Sequence, residues 1–362
     1  MIDPPFGTGH RLGPLGRKTT ESAVSEFSFV CPQCKGPLTE LNKAYCCAQC
    51  DRTYPVVLGI PDFRIFPDPY ISIEDDRHKA KELAKYYGEL SFPEVVSRYW
   101  EMTPGVPEGL VREFTNAVVN KKERAAQNPR RVDGFGGLLE VGCGAGGFLA
   151  AAAPSCDRAV GVDIAFRWLL VAKKNLEESG IKNATLVCAC GEFLPFPDGI
   201  FDEVAAEDVL DHARDQAGLL RESRRVLKQQ TGTLYLSTPN RYSLGPDPHV
   251  WVWGAVFLPP GLRDPYIRFR KGVPYGPIHP VSYAKLRRLL KSAGFEECNV
   301  ELPGLQGLEH RGLSPWHRFQ ARMYERLRGI PMLRYALRLV GPSFQVVCHK
   351  PKGVNQCQLP KP

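Results

Sequence analysis

From residue 138 onward, short apolar runs alternate with amphipathic stretches. Leu138-Leu139-Glu140-Val141 has the length of a buried strand, and Phe148–Ala153 begins a helix after it. Ala159–Val162 predicts a second strand, and Arg167–Ser179 an amphipathic helix stopped by Gly180. Thr185–Ala189 and Phe201–Ala206 predict two more strands, Ala217–Leu227 a helix and Gly232–Ser237 a fifth strand. Val281–Ala293 reads as a helix ended by Gly294, followed by strands at Glu297–Leu302 and Phe344–His349. Strands separated by helices at this interval predict a doubly wound, Rossmann-like α/β fold with a seven-stranded, parallel sheet.

The remainder is patterned differently. Residues 1–26 are rich in Gly, Pro, Ser and Thr without a period, which predicts a disordered leader. From Asp75 to Asn128 apolar residues fall at helical spacing, and Pro93, Pro104 and Pro107 divide the stretch into two or three helices. The chain thus divides into a leader (1–26), a cysteine-rich unit (27–66), a helical linker or cap (75–130), an α/β domain (131–352) and a tail (353–362). Insertions fall within the α/β domain at 241–280 and 305–340.

Composition narrows the classes. Of 362 residues, 43% are hydrophobic and 24% charged, which excludes wholesale disorder and a coiled-coil rod. No apolar run approaches the ~18 residues of a spanning helix, and the N-terminus lacks the basic and apolar regions of a secretory signal. A cytoplasmic protein is expected. Charge is uneven: residues from Arg241 onward carry 19 Lys+Arg against 7 Asp+Glu, whereas the preceding part is slightly acidic. An anionic partner therefore belongs to the C-terminal third.

Five of the twelve cysteines crowd between Cys31 and Cys50. Cys31-Pro-Gln-Cys34 and Cys47-Ala-Gln-Cys50 form two tight pairs whose thiolates can converge on one ion, and four sulfurs in a tetrahedron suit a structural Zn²⁺. Cys46 beside Cys47 offers an alternative register. With four protein ligands no coordination position stays open, so the metal would support a small fold rather than do chemistry. Together with Tyr54-Pro55-Val and Gly59-Ile60-Pro61 downstream, residues 29–64 resemble the small zinc-ribbon activators of RNA and protein methyltransferases. They also resemble ribbons fused to bacterial methyltransferases. The resemblance implies a ribbon that packs on its own catalytic domain.

Leu139-Glu140-Val141-Gly142-Cys143-Gly144-Ala145-Gly146-Gly147 closes the first strand and opens a helix, so glycines sit where a ligand approaches the backbone. Asp163 ends the second strand, placed to accept both hydroxyls of a ribose. Cys190-Gly191-Glu192-Phe193-Leu194-Pro195 then follows the third strand, Val209-Leu210-Asp211-His212 the fourth, and Thr238-Pro239-Asn240 closes the fifth. Residues 136–303 resemble class I S-adenosylmethionine-dependent methyltransferases of the kind found in quinone biosynthesis. The resemblance implies S-adenosylmethionine as cofactor, with Glu140, Gly142, Cys143 and Gly144 around its amino-acid end. It puts Asp163 on the ribose, Ile164 against the adenine, and Cys190, Gly191, Glu192 and Phe193 along the purine slot. The family usually carries Asp where this chain has Cys190, and Glu192 is the substitute within reach.

Methyl transfer from a sulfonium needs alignment and dryness first, and a general base only when the nucleophile must lose a proton. His212 and Asp211 are the candidates at the carboxyl edge, with Asp208, His249 and His279 behind them; His212 is either a base or a helix cap. Trp251, Trp253 and Phe257 in the first insertion form either an acceptor wall or a structural cap. Pro315–Val340 interleaves Arg318, Arg322, Arg326, Arg328, Arg334 and Arg338 with apolar residues. That is a basic amphipathic pattern of two helices hinged at Pro331, fit for an anionic membrane surface, for RNA, or for solvent. The leading expectation is methyl transfer to a hydroxyl or activated carbon of a small metabolite, lipid- or sugar-linked. RNA methylation and a non-catalytic partner that keeps the fold are the alternatives.

Overall fold

The computed structural model describes residues 28–103, 106, 108–121, 136–245, 247, 250, 252–272, 275–276, 278–304 and 315–350. The expected leader and tail, His249, Trp251 and residues 305–314 lie outside the described residues.

The alternating run folds as its period demands. Strands β5 (Gly137–Val141), β6 (Arg158–Asp163), β7 (Ala184–Cys188), β8 (Glu203–Glu207) and β9 (Thr233–Pro239) are joined by helices and pair in parallel in the order β9-β8-β5-β6-β7. Strands β10 (Glu297–Glu301) and β11 (Ser343–His349) complete the sheet, β11 inserting antiparallel between β10 and β9. Every residue of β5 is buried, as expected of an apolar run covered on both faces. One face packs on α4 (Gly147–Ala152) and α5 (Phe166–Glu178) through Phe148, Leu149, Phe166 and Leu169. The opposite face packs on α6 (Gln216–Val226) and α8 (Tyr283–Ser292) through Leu219, Leu220, Leu286 and Leu290.

Two differences from the sequence reading have simple causes. The fourth strand starts at Glu203 because Phe201 makes only an isolated bridge to Leu227. Cys298 and Cys348, outside the N-terminal cysteine cluster, face each other across β10 and β11 and are bonded as a disulfide. Such bonds persist mainly in oxidising surroundings, so cysteine usage by itself does not fix the compartment.

The cysteine-rich unit is a four-stranded antiparallel sheet: β1 (Thr39–Leu41), β2 (Ala44–Cys47), β3 (Arg52–Val57) and β4 (Ile60–Pro61). It shares a core with the large domain. Phe29 packs on Tyr45, Phe63 and Phe196, at ring distances of 5.4, 5.0 and 5.9 Å. Just beyond β4, Asp62 bridges to Cys188 and the Phe63 N–H donates to the Cys188 carbonyl at 2.7 Å, which covers the exposed edge of β7.

Helices α1 (Ile73–Ala84), α2 (Phe92–Glu101) and α3 (Glu108–Val119) follow. Pro93 lies in the first turn of α2 and so begins that helix, where its missing N–H costs nothing. Between α1 and α5 lies a buried ionic cluster. Arg64 grips both oxygens of Asp62 at 2.9 and 2.7 Å and reaches Asp76 at 2.6 Å. Asp76 accepts the Phe166 N–H at 2.8 Å, capping the start of α5 from outside the domain, and pairs with Arg167 at 2.9 Å. Asp62, Arg64 and Asp76 have fully buried side chains. Removing one partner strands buried charge, so Asp76→Ala should lower the unfolding free energy by about 3–5 kcal/mol. Urea unfolding at neutral pH measures this, and a loss below about 1 kcal/mol, the value of an exposed pair, would contradict the burial argument.

Candidate active site

The cofactor-sized opening lies where α/β sheets usually bind ligands, at the carboxyl ends of β5, β6 and β8, beside the point where strand order reverses. It is a cavity of about 380 Å³, within the usual range for small-molecule sites. Gly142 and Gly144 have φ of +75° and +52°. A Cβ on Gly142 would stand 2.1 Å from Val209 Cγ2, so this position admits no side chain. Asp163 accepts the Gly144 and Ala165 N–H groups, both at 2.8 Å, which ties the glycine turn to the end of β6. Burial pushes its carboxyl above the usual range. Each oxygen keeps acceptor capacity for a ligand.

Of the sequence-predicted residues, Gly142, Gly144, Asp163, Ile164, Gly191, Glu192 and His212 line this one cavity. Glu140 and Cys143 are buried behind it. Neither carboxylate oxygen of Glu140 has a hydrogen-bond partner, and burial pushes the group up to about 8 from its ordinary 4.5. Cys190 does not face the cavity; its thiol donates to the Phe66 carbonyl at 3.7 Å. Phe193 lines a separate cavity together with Phe66 and Glu222. Glu192 accepts the Arg214 and Asp215 N–H groups at 2.9 and 3.3 Å, so it holds the entry to α6. Asp211 is fully buried, with Oδ2 3.9 Å from Nε2 of half-buried His212. Asp208, at φ +54°, accepts from the Ser237 hydroxyl at 3.0 Å and faces the cavity. His279 lines another cavity of about 240 Å³ with Arg241, Arg263 and Lys285. Trp253 and Phe257 are exposed and do not reach the cofactor-sized cavity.

Several lining residues escape a sequence reading. Phe66, Asp68 and Tyr70 come from the segment after the cysteine-rich unit, and Lys121 from beyond α3. Burial disfavours the charge of Lys121, but Glu140, Glu207 and Asp208 outweigh it and raise its affinity for the proton. The carboxylate-rich end of the cavity therefore holds a cation. No local period announces these residues, since each arrives by tertiary packing.

In the small sheet, the sulfurs of Cys31, Cys34, Cys47 and Cys50 lie within 4.8 Å of one another. Cys46 is outside this group, its thiol 3.8 Å from Thr53 Oγ1. The backbone alternation of β2 sends the adjacent cysteines to opposite faces.

A methyltransferase-domain family profile matches residues 139–236. The ubiquinone biosynthesis O-methyltransferase of Thiobacillus denitrificans is 30% identical over 193 residues, covering 51% of this chain and 72% of that protein. The chain belongs to the class I S-adenosylmethionine-dependent methyltransferases. An uncharacterized methyltransferase of Bacillus subtilis, YcgJ, is 35% identical over 92 residues, 25% of this chain and 36% of that one. Phosphoethanolamine N-methyltransferase 2 of Haemonchus contortus, solved with S-adenosyl-L-methionine, has a TM-score of 0.46 and 18% identity, covering 73% of this chain and 61% of that one.

The residues present fit the methyltransferase cofactor. An unpartnered buried carboxylate stands behind the glycine turn, a second carboxylate closes β6, and Gly142 leaves no room for a side chain. The cofactor carries an ammonium group at its amino-acid end. A cation bound near Glu140 favours its carboxylate form and expels a proton at any pH below about 8. Affinity for S-adenosylhomocysteine should therefore rise with pH until about 8, by at most about tenfold per unit, and then level off. The same raised value makes Glu140 cost the free protein stability as pH climbs from 4.5 through about 8. Calorimetric titration across that range checks the slope. Glu140→Gln should flatten it, and an unchanged slope in that variant would remove Glu140 from the site.

Proposed function

We propose that this methyltransferase transfers the methyl group of S-adenosylmethionine to a hydroxyl of a small, lipid-like acceptor, and that the four-cysteine unit carries a structural zinc ion. The observation that carries the reading is the single cavity shared by the glycine turn, Asp163 and His212. When bound, S-adenosylmethionine supplies a methyl group activated by the positive charge on its sulfur. Asp163 would hold the ribose, Ile164 the adenine side, and Gly142 and Gly144 would let the amino-acid end lie against backbone. Glu140, with Glu207 and Asp208, makes that end acidic. His212 stands on the same cavity wall as Asp208 and Val209, where an acceptor would enter. His212 would accept the proton that the acceptor hydroxyl gives up; the buried Asp211 lies beside it, Oδ2 3.9 Å from Nε2. The four thiolates suit zinc because they are soft donors already gathered as tightly as a tetrahedral site requires.

The surface favours a lipid-like acceptor over RNA. Of the helices α9 (Pro315–Arg328) and α10 (Pro331–Val340), α10 has no buried residue, and its Met332 and Tyr335 are 87% and 69% exposed. Between them these helices carry six arginines and one acid, Glu325. The C-terminal end of α10 is hydrogen-bonded to Asn240 and Leu244, beside the cavity that holds Arg241 and Lys285. RNA would call for the arginines but not for a row of exposed Met, Leu and Tyr, whereas an anionic bilayer accepts both.

Two measurements test the reading. Incubation with methyl-labelled S-adenosylmethionine and host extract should put label in the organic-soluble fraction, and His212→Ala should slow turnover by about a hundredfold or more while leaving S-adenosylhomocysteine affinity intact. Label in RNA would overturn it. In flotation assays the chain should rise with vesicles containing phosphatidylglycerol but not with phosphatidylcholine alone, and Met332→Ser with Tyr335→Ser should abolish this. Equal flotation of the double variant would remove α10 from the account.

A further inference from the structure

The segment that leaves the cysteine-rich unit, Arg64–Tyr70, does two jobs at once. At its start it belongs to the small sheet: Asp62 and Phe63 pair with Cys188, and the Phe63 ring stacks within 5.4 Å of Tyr54. Tyr54 in turn contacts the Cys31 sulfur through its hydroxyl at 3.3 Å. Three residues later the same backbone forms one side of the cofactor cavity, through Phe66, Asp68, Pro69 and Tyr70. Few residues separate a sulfur of the cysteine cluster from the wall of the active site, and each contact between them is packed.

The segment has little stiffness of its own, having no regular secondary structure between Phe63 and the start of α1. It is held from outside at almost every residue. Arg64 is locked to Asp62, to Asp76 and, at 3.2 Å, to the Ile164 carbonyl that borders the cavity. The Phe66 carbonyl accepts from Cys190, and the Arg214 guanidinium lies 4.2 Å above the Phe66 ring while donating to the Pro67 carbonyl at 3.0 Å. Asp68 pairs with Arg167 at 3.0 Å and accepts the Tyr70 N–H at 2.8 Å. The Tyr70 ring lies so close to Gly276 of the first insertion that a Cβ there would stand 2.2 Å from it.

We propose that Phe66, Asp68 and Tyr70 are cofactor-binding residues and that metal loading of the four-cysteine cluster sets cofactor affinity through them. The proposal rests on the methyltransferase reading of the cavity. The small sheet has four short strands, and the cluster ties the loop before β1 to the end of β2. Without the metal the four sulfurs are no longer held to one point, the sheet loosens at Cys31 and Tyr54, and Phe63 then loses the surface that anchors the segment. A wall that is formed only about a tenth of the time weakens the apparent affinity about tenfold, with no change in any contact to the ligand.

The test uses the full chain and S-adenosylhomocysteine as probe, titrated calorimetrically. Three samples are compared: zinc-loaded, stripped with a strong chelator, and stripped then reloaded. Far-UV circular dichroism is followed in each. The expected result is an affinity about tenfold weaker on stripping and restored on reloading, while the α/β domain keeps its helical signal. A stripped chain that stays folded and binds within about twofold of the loaded one overturns the coupling. If stripping unfolds the whole chain, the zinc-loaded Phe66→Ala and Tyr70→Ala variants decide. Affinity lowered several-fold in both, at unchanged melting temperature, supports the wall, and unchanged affinity overturns it. If the zinc-loaded wild-type chain shows no binding at all, the methyltransferase reading of the cavity fails, which is a different outcome from uncoupling.

Discussion

The Asp76 carboxylate lies fully buried between two arginines, and the rest of the site depends on that arrangement. Taking such groups out of water costs several kcal/mol per ion. It is offset only because each charge has partners: Arg64 spans Asp62 and Asp76, while Arg167 spans Asp76, Asp68 and the Tyr99 hydroxyl. The residues involved come from the end of the cysteine-rich unit, the cap helices and α5. The cluster therefore fixes three parts of the chain against one another more firmly than apolar packing alone could, since charged groups do not tolerate a shifted register. Helix α5 starts three residues after Asp163, and Asp76 caps its first N–H. The position of Asp163 is thus set partly by a side chain almost ninety residues earlier in the chain.

This explains why the methyltransferase carries its cysteine-rich unit in cis. The edge of β7 would otherwise be open, and Cys188, which ends it, and Cys190 just beyond take backbone partners from the segment after β4. One side of the cavity is built by the α/β fold and the other by this addition. Chemistry that needs alignment and exclusion of water benefits from such a closed wall more than from any single catalytic group.

The strand-and-helix alternation, the glycine turn and Asp163 were legible because each depends on local chemistry. Buried strands must be apolar along their length, and only glycine accepts the φ of Gly142 with Val209 pressed against it. The pairing of cysteines was legible in the same way, down to the choice left open between Cys46 and Cys47, which strand alternation resolves geometrically. The ionic cluster was not, because Arg64, Asp76 and Arg167 look like ordinary surface residues until the chain brings them together. The bond between Cys298 and Cys348 follows from strand register over a separation of 50 residues, which no local pattern encodes. Cys190 and Phe193 show the converse limit. They follow the third strand, but the Cys190 thiol donates to the Phe66 carbonyl and the Phe193 ring meets that of Phe66, contacts that no local pattern encodes.

The most direct measurement is a crystal structure of the full chain grown with S-adenosylhomocysteine. The account predicts the ligand between the glycine turn and the Phe66–Tyr70 segment, with its ribose hydroxyls on Asp163 and its ammonium toward Glu140. A ligand bound elsewhere on the sheet, or one in this cavity that leaves Asp163 without a contact, would contradict it.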